Sequence, residues 1–222
     1  MEGVLVENQK NAEIIKEPYD HTLFQLFSKD MCDKLIKNYY EIYEYLNQKK
    51  GLSTSRFMLD VEGDTINGIQ FDKYPFLKGI QPLNNVLRMY SKELINNQYE
   101  KYYQSKKHLR FTLQLVYDKK NYSIGPHTDS SKRSCTQITY LVNDEDLNKK
   151  LGVCVYKDLI NRHKVKWEKI HYSFDNFEKI KQVEYYPGSS ISFNVHPNSF
   201  HGVEKIDDEC NRMSIQTIIW NE

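Results

Sequence analysis

The chain has 222 residues, 31 Lys and Arg against 30 Asp and Glu, a net charge of +1 and a mean hydropathy of −0.72. That length holds one large domain or two small ones. The balanced charge argues against a nucleic-acid partner or an anionic membrane surface, and no run approaches the eighteen apolar residues of a membrane span.

The four cysteines, at 32, 135, 154 and 210, show no Cys-x-x-Cys spacing, which argues against a zinc knuckle or redox pair. The first twenty residues lack the apolar core of a signal peptide, so the expected location is cytoplasmic. Beyond them, Thr22-Leu23-Phe24-Gln25-Leu26-Phe27 is a short apolar run. Ser28 can cap a helix N-terminus. The apolar residues Met31, Leu35, Tyr39, Ile42, Tyr43 and Leu46 then predict an amphipathic helix over 31–46, closed by Gly51. Residues 52–79 are broken by Gly63, Gly68, Pro75 and Gly79 and read as loops with short strands. A second helix is expected after Pro82, with Leu83, Val86, Leu87, Tyr90, Leu94 and Ile95 on one face. Tyr99, Tyr102 and Tyr103 behind it read as core aromatics in preference to a binding surface.

From Arg110 the period changes to that of strands, predicted over 110–117, 135–142, 152–157, 182–186, 189–195, 200–204 and 212–220. Short strands with Gly and Pro turns predict a barrel or jelly roll. The expected fold is therefore mainly β: a double-stranded β-helix with N-terminal helices packed on its outer face. It reads as one domain, with 1–109 as mostly helical support and 110–222 as the core. Residues 158–180 interrupt the strands and carry His163, Trp167, His171, Tyr172, Phe174 and Phe177 with no clean period. An insertion of this length reads either as a substrate lid or as an excursion that packs its own aromatics.

The chemistry gathers in the second half. Gly125-Pro126-His127-Thr128-Asp129 places an imidazole and a carboxylate two residues apart, on one side of an extended chain. Ser199-Phe200-His201-Gly202-Val203 supplies a second histidine, and Asn211-Arg212-Met213-Ser214 an arginine beyond it. Two histidines and one carboxylate form the facial triad that binds Fe(II) and leaves coordination positions open. An arginine offers a planar fork for a carboxylate. A His-x-Asp alone is a weak signal; flanking strands, a second histidine and a following arginine make it a set. His196 is the rival for the third ligand, but it stands between Val195 and Pro197 in an expected turn.

From about Arg110 to Trp220 the chain resembles the 2-oxoglutarate/Fe(II) oxygenase superfamily, near its prolyl-hydroxylase-like branch. Six segments carry the resemblance, in the family's order: Leu113-Gln114-Leu115-Val116-Tyr117, Pro126-His127-Thr128-Asp129, Thr139-Tyr140-Leu141-Val142-Asn143, Tyr186-Pro187-Gly188-Ser189-Ser190-Ile191-Ser192-Phe193, Phe200-His201-Gly202-Val203 and Arg212-Met213-Ser214. The resemblance implies that His127, Asp129 and His201 hold Fe(II), and that Arg212 binds the distal carboxylate of 2-oxoglutarate. It implies further cosubstrate contacts from Tyr117, ten residues before His127, from Ser214 and from Thr139. The family often has a Gly-Gly pair where this chain has only Leu151-Gly152-Val153. The implied activity is a dioxygenase that hydroxylates a peptidyl or small-molecule substrate with dioxygen. A cupin-like metal-dependent sugar isomerase or binding protein would share the barrel without needing Arg212.

Overall fold

Residues that alternate apolar with polar along an extended chain bury one face and must pair laterally to satisfy their backbone. The computed structural model describes residues 12, 14–37, 40, 55–62, 65–66, 69–70, 109–147, 149–160 and 171–221, and most of these lie in strands. Five strands come from the first third: β1 (Ile14–Ile15), β2 (His21–Gln25), β3 (Arg56–Glu62), β4 (Thr65–Ile66) and β5 (Ile69–Gln70). Eight follow: β6 (Leu109–Asp118), β7 (Ile124–His127), β8 (Arg133–Leu141), β9 (Cys154–Asp158), β10 (Phe177–Gln182), β11 (Ser189–Asn194), β12 (His201–Val203) and β13 (Arg212–Asn221).

They form two antiparallel sheets. One has nine strands in the order β1-β2-β11-β8-β13-β6-β3-β4-β5, the other four in the order β10-β9-β12-β7. From β6 to β13 the chain crosses repeatedly between the sheets, so β6, β8, β11 and β13 lie in the larger and β7, β9, β10 and β12 in the smaller. That is the winding of a jelly roll.

Cross-strand register fixes which side chains face inward. Ser214 pairs with Val116 and Tyr140, and Gln216 with Gln114 and Ile138. Ile138, Tyr140, Ile191 and Phe193 of the large sheet pack in one core with Val153, Val155 and Val203 from the small-sheet side. Thr136, Ile138, Tyr140, Arg212 and Ser214 therefore share the face turned toward the small sheet. Cys135, Gln137, Thr139, Met213 and Ile215 share the other. Ile191 and Phe193 have no exposed surface, and each such side chain contributes about 1.5–3 kcal/mol.

A helix runs through residues 29–37 among the described residues, and Ser28 caps it by accepting the Met31 N–H at 3.3 Å. Cys32, Leu35 and Ile36 are its buried face, with the Cys32 thiol directed at the Tyr140 carbonyl. The continuation of this helix to residue 46 lies largely outside the described residues, as do the helix expected after Pro82 and the tyrosines that follow it. No described helix is long and apolar enough to cross a membrane.

Two strands differ from expectation. The strand expected at 182–186 is instead β10, Phe177–Gln182. Its middle residues, Glu178, Lys179, Ile180 and Lys181, are all exposed because it is an edge strand, so it carries no apolar alternation. Val183 and Tyr185 mimic a strand by being buried, but Val183 makes only one bond to Val153, at 2.9 Å. Gly152 is required here, since a Cβ would overlap the Val183 carbonyl. The strand β7 was hidden by its own motif, which reads as a turn around Pro126.

Candidate active site

The two histidine candidates sit at strand ends, where the backbone is free to accept from a side chain, and Asp129 lies in the loop between β7 and β8. His127 closes β7, and its Nδ1 lies 2.9 Å from the Gly125 carbonyl. His201 opens β12, and its Nδ1 lies 2.9 Å from the Ser199 carbonyl. A carbonyl can only accept, so both Nδ1 atoms carry the proton and both Nε2 atoms keep a lone pair. The same device, a carbonyl two residues earlier, sets both rings for coordination. His127 and His201 pair directly across β7 and β12.

Asp129 completes the group: one ligand atom from each of His127, Asp129 and His201 lies within 4.8 Å of the others, and all three residues are buried. His201 Nε2 and Asp129 Oδ2 are 3.9 Å apart. The carboxylate is held from two sides. Arg133 Nη1 donates to Oδ1 at 2.8 Å, and Thr136 Oγ1 donates to Oδ2 at 2.6 Å. Burial opposes the charge on Asp129, but His201, Arg133 and Thr136 together hold its carboxyl below the usual range. Burial first, then His201, pushes His127 down, which favours the neutral, ligating ring. Two imidazole nitrogens and one carboxylate suit a divalent transition metal. His196 is exposed, with Nδ1 accepting the Asn198 N–H at 3.3 Å, and is not in the group.

Arg212 opens β13 and is almost fully buried on the inward face. Its Nε donates to the Leu151 carbonyl and its Nη1 to Asp118 Oδ2. Asp118 is the partner of Arg212 in the β6–β13 ladder and of Arg56 in the β3–β6 ladder. Arg56 donates to it through Nε at 2.7 Å and Nη2 at 3.2 Å. The Arg212 guanidinium also lies 5.3 Å from the Tyr140 ring centroid, and the Arg56 guanidinium 4.2 Å from that of Tyr122. Ser214 Oγ and Tyr122 Oη are buried with no hydrogen-bond partner among the described residues.

Tyr117 and Thr139 are not brought to this side. Tyr117 pairs with Met213 and gives its hydroxyl to Asn211 Oδ1. Thr139 pairs with Ile215 and accepts from Ser190 Oγ at 2.8 Å. Both lie on the opposite face of the large sheet, one residue out of phase with Asp118 and Tyr140. Sequence reading missed Asp118, Tyr140, Thr136 and Arg133. The alternation Thr136-Ile138-Tyr140 could have signalled two of them, and the four-residue step from Asp129 another. Arg56 and Tyr122 carried no local signal.

The second described end of the insertion, from His171, packs on the small sheet, while Leu159 and Ile160 at the first end are exposed. Tyr172, Phe177 and Phe200 meet at centroid distances of 5.0–6.1 Å, and Tyr156 is 6.3 Å from Phe177. The Tyr172 N–H donates to the Pro126 carbonyl at 2.9 Å. This places the His171 ring 4.8 Å from that of His127. His163 and Trp167 lie outside the described residues.

No family model matches the chain, and no curated protein sequence matches it. Solved structures do. A prolyl hydroxylase from Trichoplax adhaerens, in complex with a hypoxia inducible factor oxygen degradation domain peptide fragment, is 12% identical. It covers 90% of this chain and 83% of that chain, with a TM-score of 0.55. HygX from Streptomyces hygroscopicus, with nickel and 2-oxoglutarate bound, is 10% identical over 90% of this chain and 82% of that chain, TM-score 0.52. EvdO2 from Micromonospora carbonacea var. aurantiaca, complexed with 2-oxoglutarate, is 11% identical over 91% of this chain and 86% of that chain, TM-score 0.52. The chain has the fold of the prolyl-hydroxylase-like 2-oxoglutarate/Fe(II) oxygenases.

Proposed function

We propose that this protein is a non-haem Fe(II)- and 2-oxoglutarate-dependent dioxygenase that hydroxylates a peptidyl or small-molecule substrate. The observation that carries the reading is the meeting of His127, Asp129 and His201, with both Nε2 lone pairs free, inside a jelly roll whose same inward face presents Arg212. His127 Nε2, His201 Nε2 and one Asp129 oxygen would hold the metal, while Arg133 and Thr136 keep that carboxylate ionised and oriented. Arg212 would receive the far carboxylate of 2-oxoglutarate, and the unpartnered Ser214 hydroxyl is a donor fit for it. When bound, the metal and 2-oxoglutarate supply oxygen activation coupled to oxidative decarboxylation of the cosubstrate. The surrounding core, with Tyr140, Val155, Ile191 and Phe193, excludes bulk water from that chemistry.

The Arg212–Asp118 pair favours a second reading, because it gives the guanidinium an internal carboxylate. On that reading the chain is a cupin-like metal-dependent isomerase or sugar-binding barrel. Anaerobic titration of the Fe(II)-loaded protein with 2-oxoglutarate separates the two. A weak visible charge-transfer band that saturates with 2-oxoglutarate is the expected result. Iron binding without such a band would leave the cupin-like reading.

A further inference from the structure

Three residues on three strands form one cross-strand row: Arg56 on β3, Asp118 on β6 and Arg212 on β13. Asp118 has no exposed surface, and two guanidinium groups divide its carboxylate. Arg56 takes it as a fork, using Nε on one oxygen and Nη2 on the other. Arg212 adds a single donor, Nη1, and turns its Nε to the Leu151 carbonyl. Among the described residues Arg212 has no other carboxylate, so its buried charge is only partly compensated. Such a charge favours a further anion beside it. Two hydroxyls near it, Tyr122 Oη and Ser214 Oγ, are buried and have no hydrogen-bond partner among the described residues.

We infer that Arg56 and Tyr122 belong to the cosubstrate pocket, with Arg56 as a positioning residue and Tyr122 as a donor to the bound carboxylate. This rests on the 2-oxoglutarate reading above. Arg56 keeps Asp118 neutralised when Arg212 turns its fork toward an incoming dicarboxylate; without Arg56, Asp118 depends on Arg212 alone and competes with the ligand. Tyr122 is suited to donate because burial pushes its phenol up to about 12, so it keeps its proton at neutral pH. Its ring lies beneath the Arg56 guanidinium, which ties the two residues together.

The experiment measures 2-oxoglutarate dissociation constants on anaerobic Fe(II)-loaded protein, by the visible band and by the melting shift that 2-oxoglutarate produces. Fe(II) affinity is measured in parallel. Arg56→Met is expected to weaken 2-oxoglutarate about tenfold with Fe(II) affinity unchanged, and the Arg56→Met/Asp118→Asn double variant to recover most of that loss. A merely structural arginine gives no such recovery. Tyr122→Phe removes one donor and is expected to weaken binding about fivefold or more. Binding by Arg56→Met within twofold of wild type overturns the role of Arg56. Should that variant not fold, a double variant that binds no better than about a tenth of wild type overturns it equally. Binding by Tyr122→Phe within twofold overturns the role of Tyr122. If wild type loads Fe(II) but binds no 2-oxoglutarate, the cosubstrate reading itself falls and takes this inference with it.

Discussion

His127 and His201 stand opposite one another on β7 and β12, ring centroids 4.4 Å apart, although 74 residues (201 − 127) separate them in the chain. Each is oriented by a carbonyl of its own strand approach, so neither ring depends on the other for its tautomer. The pair is preset for a metal by backbone alone.

Removing any first ligand should therefore remove the metal. His127→Ala, Asp129→Ala and His201→Ala are expected to weaken Fe(II) or Co(II) binding by more than about 100-fold, since even an outer partner is worth ~10–100-fold. His196→Ala should bind normally, because His196 only caps its own turn. Anaerobic equilibrium dialysis decides; metal loss in His196→Ala with retention in His201→Ala would reverse the assignment.

The orientation of Asp129 carries its own test. Thr136→Val keeps the shape of the side chain and deletes the donor to Oδ2. Metal affinity should fall about tenfold, with fold stability reduced by only about 1 kcal/mol. An unchanged metal isotherm would show that Arg133 suffices to hold the carboxylate.

Acid should weaken the metal-free protein through its buried histidines. Burial, then His201, lowers the His127 value, and burial also lowers His21. Below the unfolded histidine value of about 6.5, the unfolded chain binds protons that the folded chain refuses. Stability is thus fully present above that pH and declines as the pH falls through the window beneath it, by up to about 1.4 kcal/mol per pH unit for each such histidine. Asp129, also depressed, adds its loss only below the ordinary carboxylate range. Melting curves from pH 7.5 to 5 should show the decline, and His127→Gln should flatten it. A slope indifferent to that substitution would locate the effect elsewhere.

Gly125 tests how the insertion docks. A Cβ at Gly125 would overlap the Tyr172 carbonyl, so Gly125→Ala should displace residues 171–173 from β7. New cleavage beside Tyr172 or Phe174 in limited proteolysis is the expected sign. A digestion pattern identical to wild type would mean that the aromatic contacts of Tyr172 hold the segment without this fit.

Much of this site was legible because its residues recur at fixed local spacings. His127 with Asp129, the strand after Cys135 and the run from Arg212 are short-range patterns, and period two does the rest. What escaped was phase and partnership. Tyr117 and Thr139 lie on the strands that line the site but one residue from the inward positions held by Asp118 and Tyr140. Nothing local distinguishes them, because both faces of the large sheet are buried and alternation is lost. The carboxylate that meets Arg212 inside the fold is not one of its neighbours in sequence. It comes from Asp118, 94 residues away, through a ladder that only folding creates.

The smaller sheet ends at β7, and an end strand offers its backbone to any passing chain. Here Pro126 has no N–H to give on that strand, and its carbonyl is already taken by Tyr172. The segment that brings His171 beside the metal ligands thus also seals an open border. A variant lacking it would expose the strand bearing His127 to pairing with another molecule, and so would be prone to self-association at the very strand that carries the chemistry.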